Sequence, residues 1–121
     1  RVFDLDTRAE LATLSLSPVS ADASCTDVAF DGSGVAYVTD RENAAIYRVD
    51  LDNASPTVWS DAPELAPDLI GSNGVAFTPD GQFLLVSKYL RAALVRIRVS
   101  DPTDVVEVAL GGDPFAVVAL A

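Results

Sequence analysis

The chain has 121 residues, half of them hydrophobic and 21% charged, which describes one folded domain at most rather than a disordered tail. Eight Lys and Arg stand against 18 Asp and Glu, for a net charge of −10, so the chain is poorly suited to neutralise nucleic-acid phosphates or to sit on an anionic membrane. It has no His and a single Cys, Cys25, which excludes from this chain a His-based triad, a His-ligated zinc, an internal disulfide and a Cys cluster.

No apolar run reaches the roughly 18 residues needed to span a bilayer. The opening residues, Arg1-Val2-Phe3-Asp4-Leu5-Asp6, alternate and carry acids, unlike a signal peptide. Residues 1–14 predict two strands around the Asp4-Leu5-Asp6 turn. That turn returns as Asp50-Leu51-Asp52, at an offset of 46. After an irregular stretch at 15–25, Val28-Ala29-Phe30 before Gly34 matches Val75-Ala76-Phe77 before Gly81, at an offset of 47. Ala44-Ala45-Ile46-Tyr47-Arg48-Val49 then lies over Ala92-Ala93-Leu94-Val95-Arg96-Ile97, at an offset of 48. Three partial copies at one period mark a repeat architecture.

Each copy reads as strands. The apolar, β-branched runs are short and bounded by turn chemistry, Asp31-Gly32-Ser33-Gly34 and Pro79-Asp80-Gly81. The predicted strands are 27–30, 35–39, 45–50 and 57–60, then 74–77, 83–88, 93–99 and 105–110. Between them, Ala62 to Ile70 has room for a helical turn, which Pro63 and Pro67 oppose. Four antiparallel strands per repeat of about 48 residues is the pattern of a β-propeller blade. The expected fold is therefore all-β: residues 1–14 as half a blade, 26–60 and 73–110 as blades, and 111–121 as a linker to the next. That makes about two and a half blades, where closed rings have four to eight, so the remainder of the propeller is expected outside this chain.

The run Ser72-Asn73-Gly74-Val75-Ala76-Phe77-Thr78-Pro79-Asp80-Gly81, followed by Phe83-Leu84-Leu85-Val86-Ser87, resembles a blade of the gluconolactonase/senescence-marker-protein and strictosidine-synthase-like families. Val35-Ala36-Tyr37-Val38-Thr39-Asp40 with Ile46-Tyr47-Arg48-Val49-Asp50 is similar to another of their blades. These are six-bladed, calcium-dependent propellers. At this period a six-bladed ring needs roughly 290 residues.

The resemblance implies a divalent metal, usually calcium, in the central channel. It implies that Asn73, opening an innermost strand, is a ligand, since calcium takes hard oxygen donors. Thr26-Asp27 occupies the place that often reads Asn-Asp in these families. Thr26 replaces the amide, and Asp27 is the candidate acid, as ligand or catalytic group. Lys88 and Tyr89, at a strand end, are candidate substrate contacts. The activity implied is a lactonase-like hydrolysis of a small lactone or ester, in which the metal polarises the carbonyl and activates water. Simpler roles stay open: Asn73-Gly74 is also an ordinary turn pair, and Asp27 also suits a strand start. A non-catalytic propeller that presents a ligand- or protein-binding surface is the alternative. Related bacterial propellers are often exported, which this acidic, nearly Cys-free composition permits.

Overall fold

A computed structural model of the chain describes residues 1–66, 72–88 and 93–111. Alternating apolar runs with polar turns fold into short antiparallel strands, as the pattern predicts. β1 (Val2–Phe3) pairs with β2 (Glu10–Ala12) in a two-stranded sheet. β3 (Cys25–Phe30), β4 (Val35–Asp40), β5 (Ala45–Asp50) and β6 (Ser55–Ser60) form a meander in which each strand pairs with the next. β7 (Ser72–Phe77), β8 (Phe83–Lys88), β9 (Ala93–Arg98) and β10 (Asp101–Ala109) form a second meander of the same order. These are a middle blade and a last blade, preceded by the outer half of another.

The turns carry the repeat into the backbone. In the middle blade, Asp31 Oδ1 accepts the N–H of Ser33 at 2.8 Å and of Val35 at 3.0 Å, and Gly34 takes φ 87°. In the last blade, Thr78 Oγ1 accepts the N–H of Phe83 at 3.1 Å, and Gly81 takes φ 67°. A carboxylate and a hydroxyl thus hold the same turn, each followed by a glycine in the left-handed region. Between the third and fourth strands, Arg8 and Ala54 occupy that region at φ 61° and 52°, again at equivalent positions.

Several strand ends move by one or two residues, with β3, β6 and β7 each starting two residues earlier than expected, and two further points stand out. The segment after Ala62 holds one 3-10 turn, Pro63–Leu65, and Pro67 to Ile70 lie outside the described residues. β10 starts at Asp101 instead of 105, because a bulge between Asp101 and Val105 absorbs Pro102, which has no N–H for the ladder.

The core lies between the two full blades. Alternation along β4 and β5 turns Val35, Tyr37 and Ile46 to one face, here called the front of the middle blade. Val75, Leu84, Val86, Val95 and Ile97 form the back of the last blade and meet that face, with Leu65 of the linker closing the cluster. The Tyr37 ring stands edge-on to Trp59 at 5.0 Å and to Phe77 at 5.2 Å, so one aromatic locks both sheets. Burial of each large apolar side chain here contributes about 1.5–3 kcal/mol.

Candidate functional site

β3 and β7 are the innermost strands, and they pack beside each other across the blade boundary. Both begin with the same bulge. Cys25 pairs with Asp40 and Val28 with Val38, so Thr26 and Asp27 together oppose Thr39. Ser72 pairs with Lys88 and Val75 with Val86, so Asn73 and Gly74 together oppose Ser87. Bulges re-aim side chains at strand ends, and here they set the Thr26-Asp27 and Asn73-Gly74 pairs next to each other.

Two hydroxyls that sequence reasoning passed over fill these bulges. Thr39 and Ser87 are both fully buried. Thr39 Oγ1 accepts the N–H of Asp27 at 3.2 Å, and Ser87 Oγ accepts the N–H of Gly74 at 2.9 Å. The Thr39 hydroxyl also lies 2.9 Å from the Asn73 carbonyl and donates to it across the boundary. Thr26 Oγ1 sits 3.0 Å from the Ser72 carbonyl and 3.0 Å from Thr39 Oγ1. The signal was in the repeat: Thr39 and Ser87 are equivalent at an offset of 48, and both are hydroxyls in apolar strands.

Asp27 binds through both carboxylate oxygens. Oδ1 accepts the N–H of Val28 at 2.9 Å, and Oδ2 accepts the N–H of Val75, in the neighbouring blade, at 2.9 Å. The acid thus clasps two innermost strands together. Asn73 is half-buried at the rim of the same cluster.

Lys88 stands apart from it. The residue is 6% exposed, and its ammonium donates to the Glu64 carbonyl at 3.0 Å and to Glu107 Oε2 at 3.3 Å. A buried ammonium needs such partners, and these tie the linker to β10. Tyr89 lies outside the described residues. Asp40, beside Cys25, anchors the turn that follows it. It is fully buried and accepts from the Tyr47 hydroxyl at 2.8 Å, the Asn43 amide at 2.9 Å and the N–H of Glu42 at 2.9 Å. Burial opposes its ionisation, but the bonds from Asn43, Tyr47 and the backbone outweigh that and hold the carboxyl below its ordinary value. Cys25 is an exposed residue whose thiol is pushed up, first by partial burial of the sulfur and then by the Asp40 charge.

The donors of Asn73, Asp27 and Thr26 suit calcium in kind: an amide, a carboxylate and a hydroxyl. On their own they are an incomplete set. Calcium takes about six to eight oxygens, and each Asp27 oxygen here already accepts one N–H, which leaves only its remaining lone pairs. Among the described residues no group of three or more Cys, Asp or Glu converges on a metal position.

No family model and no curated protein matches the chain. Among solved structures it is similar to a selenomethionine-substituted virginiamycin B lyase from Staphylococcus aureus, at 18% identity and a TM-score of 0.63, over 78% of this chain and 30% of that one. The chain is a segment of a propeller-like fold. It is also similar, at 20% identity, to a protein described as a 6-phosphogluconolactonase from Bacteroides uniformis, over 80% of this chain and 29% of that one. With a TM-score of 0.48, that superposition is too loose to bear on the fold. The chain spans less than a third of either structure's length, and the likeness is one of fold alone. No helix among the described residues is long and apolar enough to cross a membrane.

Proposed function

We propose that the chain contributes part of the channel wall of a lactonase-like propeller hydrolase acting on a small lactone or ester. The observation that carries this reading is the pair of aligned bulges, which set Asn73 beside Thr26 and Asp27 on adjacent innermost strands. It is also the place where the sequence resembles the lactonase-like blades. In this reading, Asn73, Asp27 and Thr26 would hold a calcium ion together with ligands from other blades, and the ion would supply carbonyl polarisation. Asp27 keeps the rim in shape through its bond to Val75, and Thr26 orients the Ser72 end of β7. The general base belongs to residues outside this set.

The test is lactone and ester hydrolysis by the protein containing this chain, with and without calcium, for wild type and Asn73→Ala. The reading expects turnover to fall about 100-fold or more in the variant, with the melting temperature nearly unchanged. Undiminished turnover would remove Asn73 from the site.

A second reading is a non-catalytic propeller presenting a ligand- or protein-binding surface. It is favoured by the engagement of both Asp27 oxygens and of the Lys88 ammonium within the fold. It expects no hydrolysis of any lactone or ester, and a ligand that binds the rim without turnover.

A further inference from the structure

One peptide unit at the rim is held at both ends by side chains. The Asn73 carbonyl accepts from the Thr39 hydroxyl of the middle blade at 2.9 Å. The Gly74 N–H, joined to that carbonyl, donates to Ser87 Oγ of the last blade at 2.9 Å. The Ser87 hydroxyl in turn lies 3.5 Å from the Gly74 carbonyl, its own acceptor. Thr39, Ser87 and Gly74 are all buried, so water does not compete for these bonds. The pair held in this way is Asn-Gly, which carries a chemistry of its own. Asn is a thermolabile residue. The nitrogen of the next residue, once it loses its proton to hydroxide, attacks the side-chain amide carbon. A carbon–nitrogen bond forms to close a five-membered imide, the bond to the amide nitrogen breaks, and ammonia leaves with a proton from water. Water then adds to either imide carbonyl and leaves an aspartyl or an isoaspartyl link. A following Gly favours the attack, because it has no β-carbon in the way and its backbone turns freely.

We infer that Asn73-Gly74 is a latent deamidation site, and that Ser87 and Thr39, at the two ends of its peptide unit, keep it closed. The attack needs an N–H free to give up its proton and a peptide plane free to swing its nitrogen onto the side chain. The Ser87 bond withholds the first, and the two hydroxyls together withhold the second. In the middle blade, Thr39 holds the N–H of Asp27 in the corresponding bulge at 3.2 Å, where Thr26 has no amide to attack. The hydroxyl therefore serves the bulge in both blades and gains a chemical role only in the last. Deamidation would add a second carboxylate to the rim that Asp27 shares. The isoaspartyl link would also lengthen the backbone of β7 just before Val75, whose N–H Asp27 holds.

The experiment follows Asn73 in the full-length protein that contains this chain, folded and held at mildly alkaline pH, by peptide mapping with mass spectrometry and isoaspartate detection. Ser87→Ala should speed isoaspartate formation at Asn73 about tenfold or more over wild type, through loss of the bond that holds the N–H. Val95→Ala truncates a buried side chain of the same blade and leaves both hydroxyls in place. It should lower the melting temperature and leave the rate near that of wild type. Thr39→Val should also speed the reaction and Thr39→Ser should not, and this pair decides the matter if Ser87→Ala does not fold. A folded wild type that deamidates as fast as the protein in urea would overturn the proposal. So would an unchanged rate in Ser87→Ala, or in Thr39→Val where that pair decides. Equal acceleration by Val95→Ala would overturn it in favour of protection by folding in general.

Discussion

Thr39 makes the case for reading single side chains through the repeat. Its hydroxyl holds the Asp27 N–H inside one blade and the Asn73 carbonyl of the next. Thr39→Val keeps the shape and strands both partners in a buried place. The expected loss of stability is about 2–3 kcal/mol by urea denaturation, whereas Thr39→Ser should lose under about 1 kcal/mol. Equal losses for the two variants would assign the effect to packing instead. Ala54 offers the opposite test. It occupies the left-handed region at φ 52°, where a β-carbon is strained, so Ala54→Gly should stabilise by about 0.5–1 kcal/mol and raise the melting temperature. Five aspartates are expected to contribute to the acid limb of the stability curve. The carboxyls of Asp4, Asp31, Asp40, Asp80 and Asp101 are all held below the ordinary 3.8, through bonds from Thr7, Ser33, Asn43, Thr78 and Thr103 among others. A folded value below the unfolded one means stability that is complete above the ordinary value and lost as pH falls through the folded values. Urea midpoints should therefore be flat near neutrality and drop below about pH 4, and Asp40→Asn should shallow that drop.

At the scale of elements, the strands could be read because their chemistry is local. Alternation, Gly34 and Gly81 in turns, and the repeated Asp-x-Asp each specify backbone without help from distant residues. The bulges could not be read in this way. Whether two residues oppose one depends on the partner strand, and the only trace in the sequence is a hydroxyl at the same place in two copies. The partners of Lys88 escaped sequence reading for a related reason. A lysine at a strand end usually reaches into solvent, but Glu107 and the Glu64 carbonyl, 19 and 24 residues away, decide otherwise. Of the candidate rim, the nearness of Thr26, Asp27 and Asn73 was foreseeable from their matching repeat positions. The use of Asp27 as a bridge to Val75 was not, because it depends on how the two blades pack: position 74, the counterpart of Asp27, is Gly and has no acid of its own to hold the Val75 N–H.

At the scale of the whole molecule, one interface serves as the pattern for others. The middle and last blades meet through apolar faces of defined register, closed at the inner end by hydrogen bonds that cross between sheets. The last blade's front keeps Leu85 and Leu94 at the places of Tyr37 and Ile46, but Phe83, at the place of Val35, lies under two guanidinium groups, Arg96 and Arg98, each 4.7 Å from its ring. The two fronts are therefore not interchangeable, and each blade carries its own address for a neighbour.

The Asp27 bridge has one more consequence. Within a sheet, an amide proton is normally shielded by its own ladder, so its exchange with solvent deuterium reports the opening of that sheet. The Val75 proton is shielded by an acid that belongs to the adjoining sheet. Its exchange rate therefore times the parting of one blade from the next, and sets a clock on the seam while both sheets remain intact.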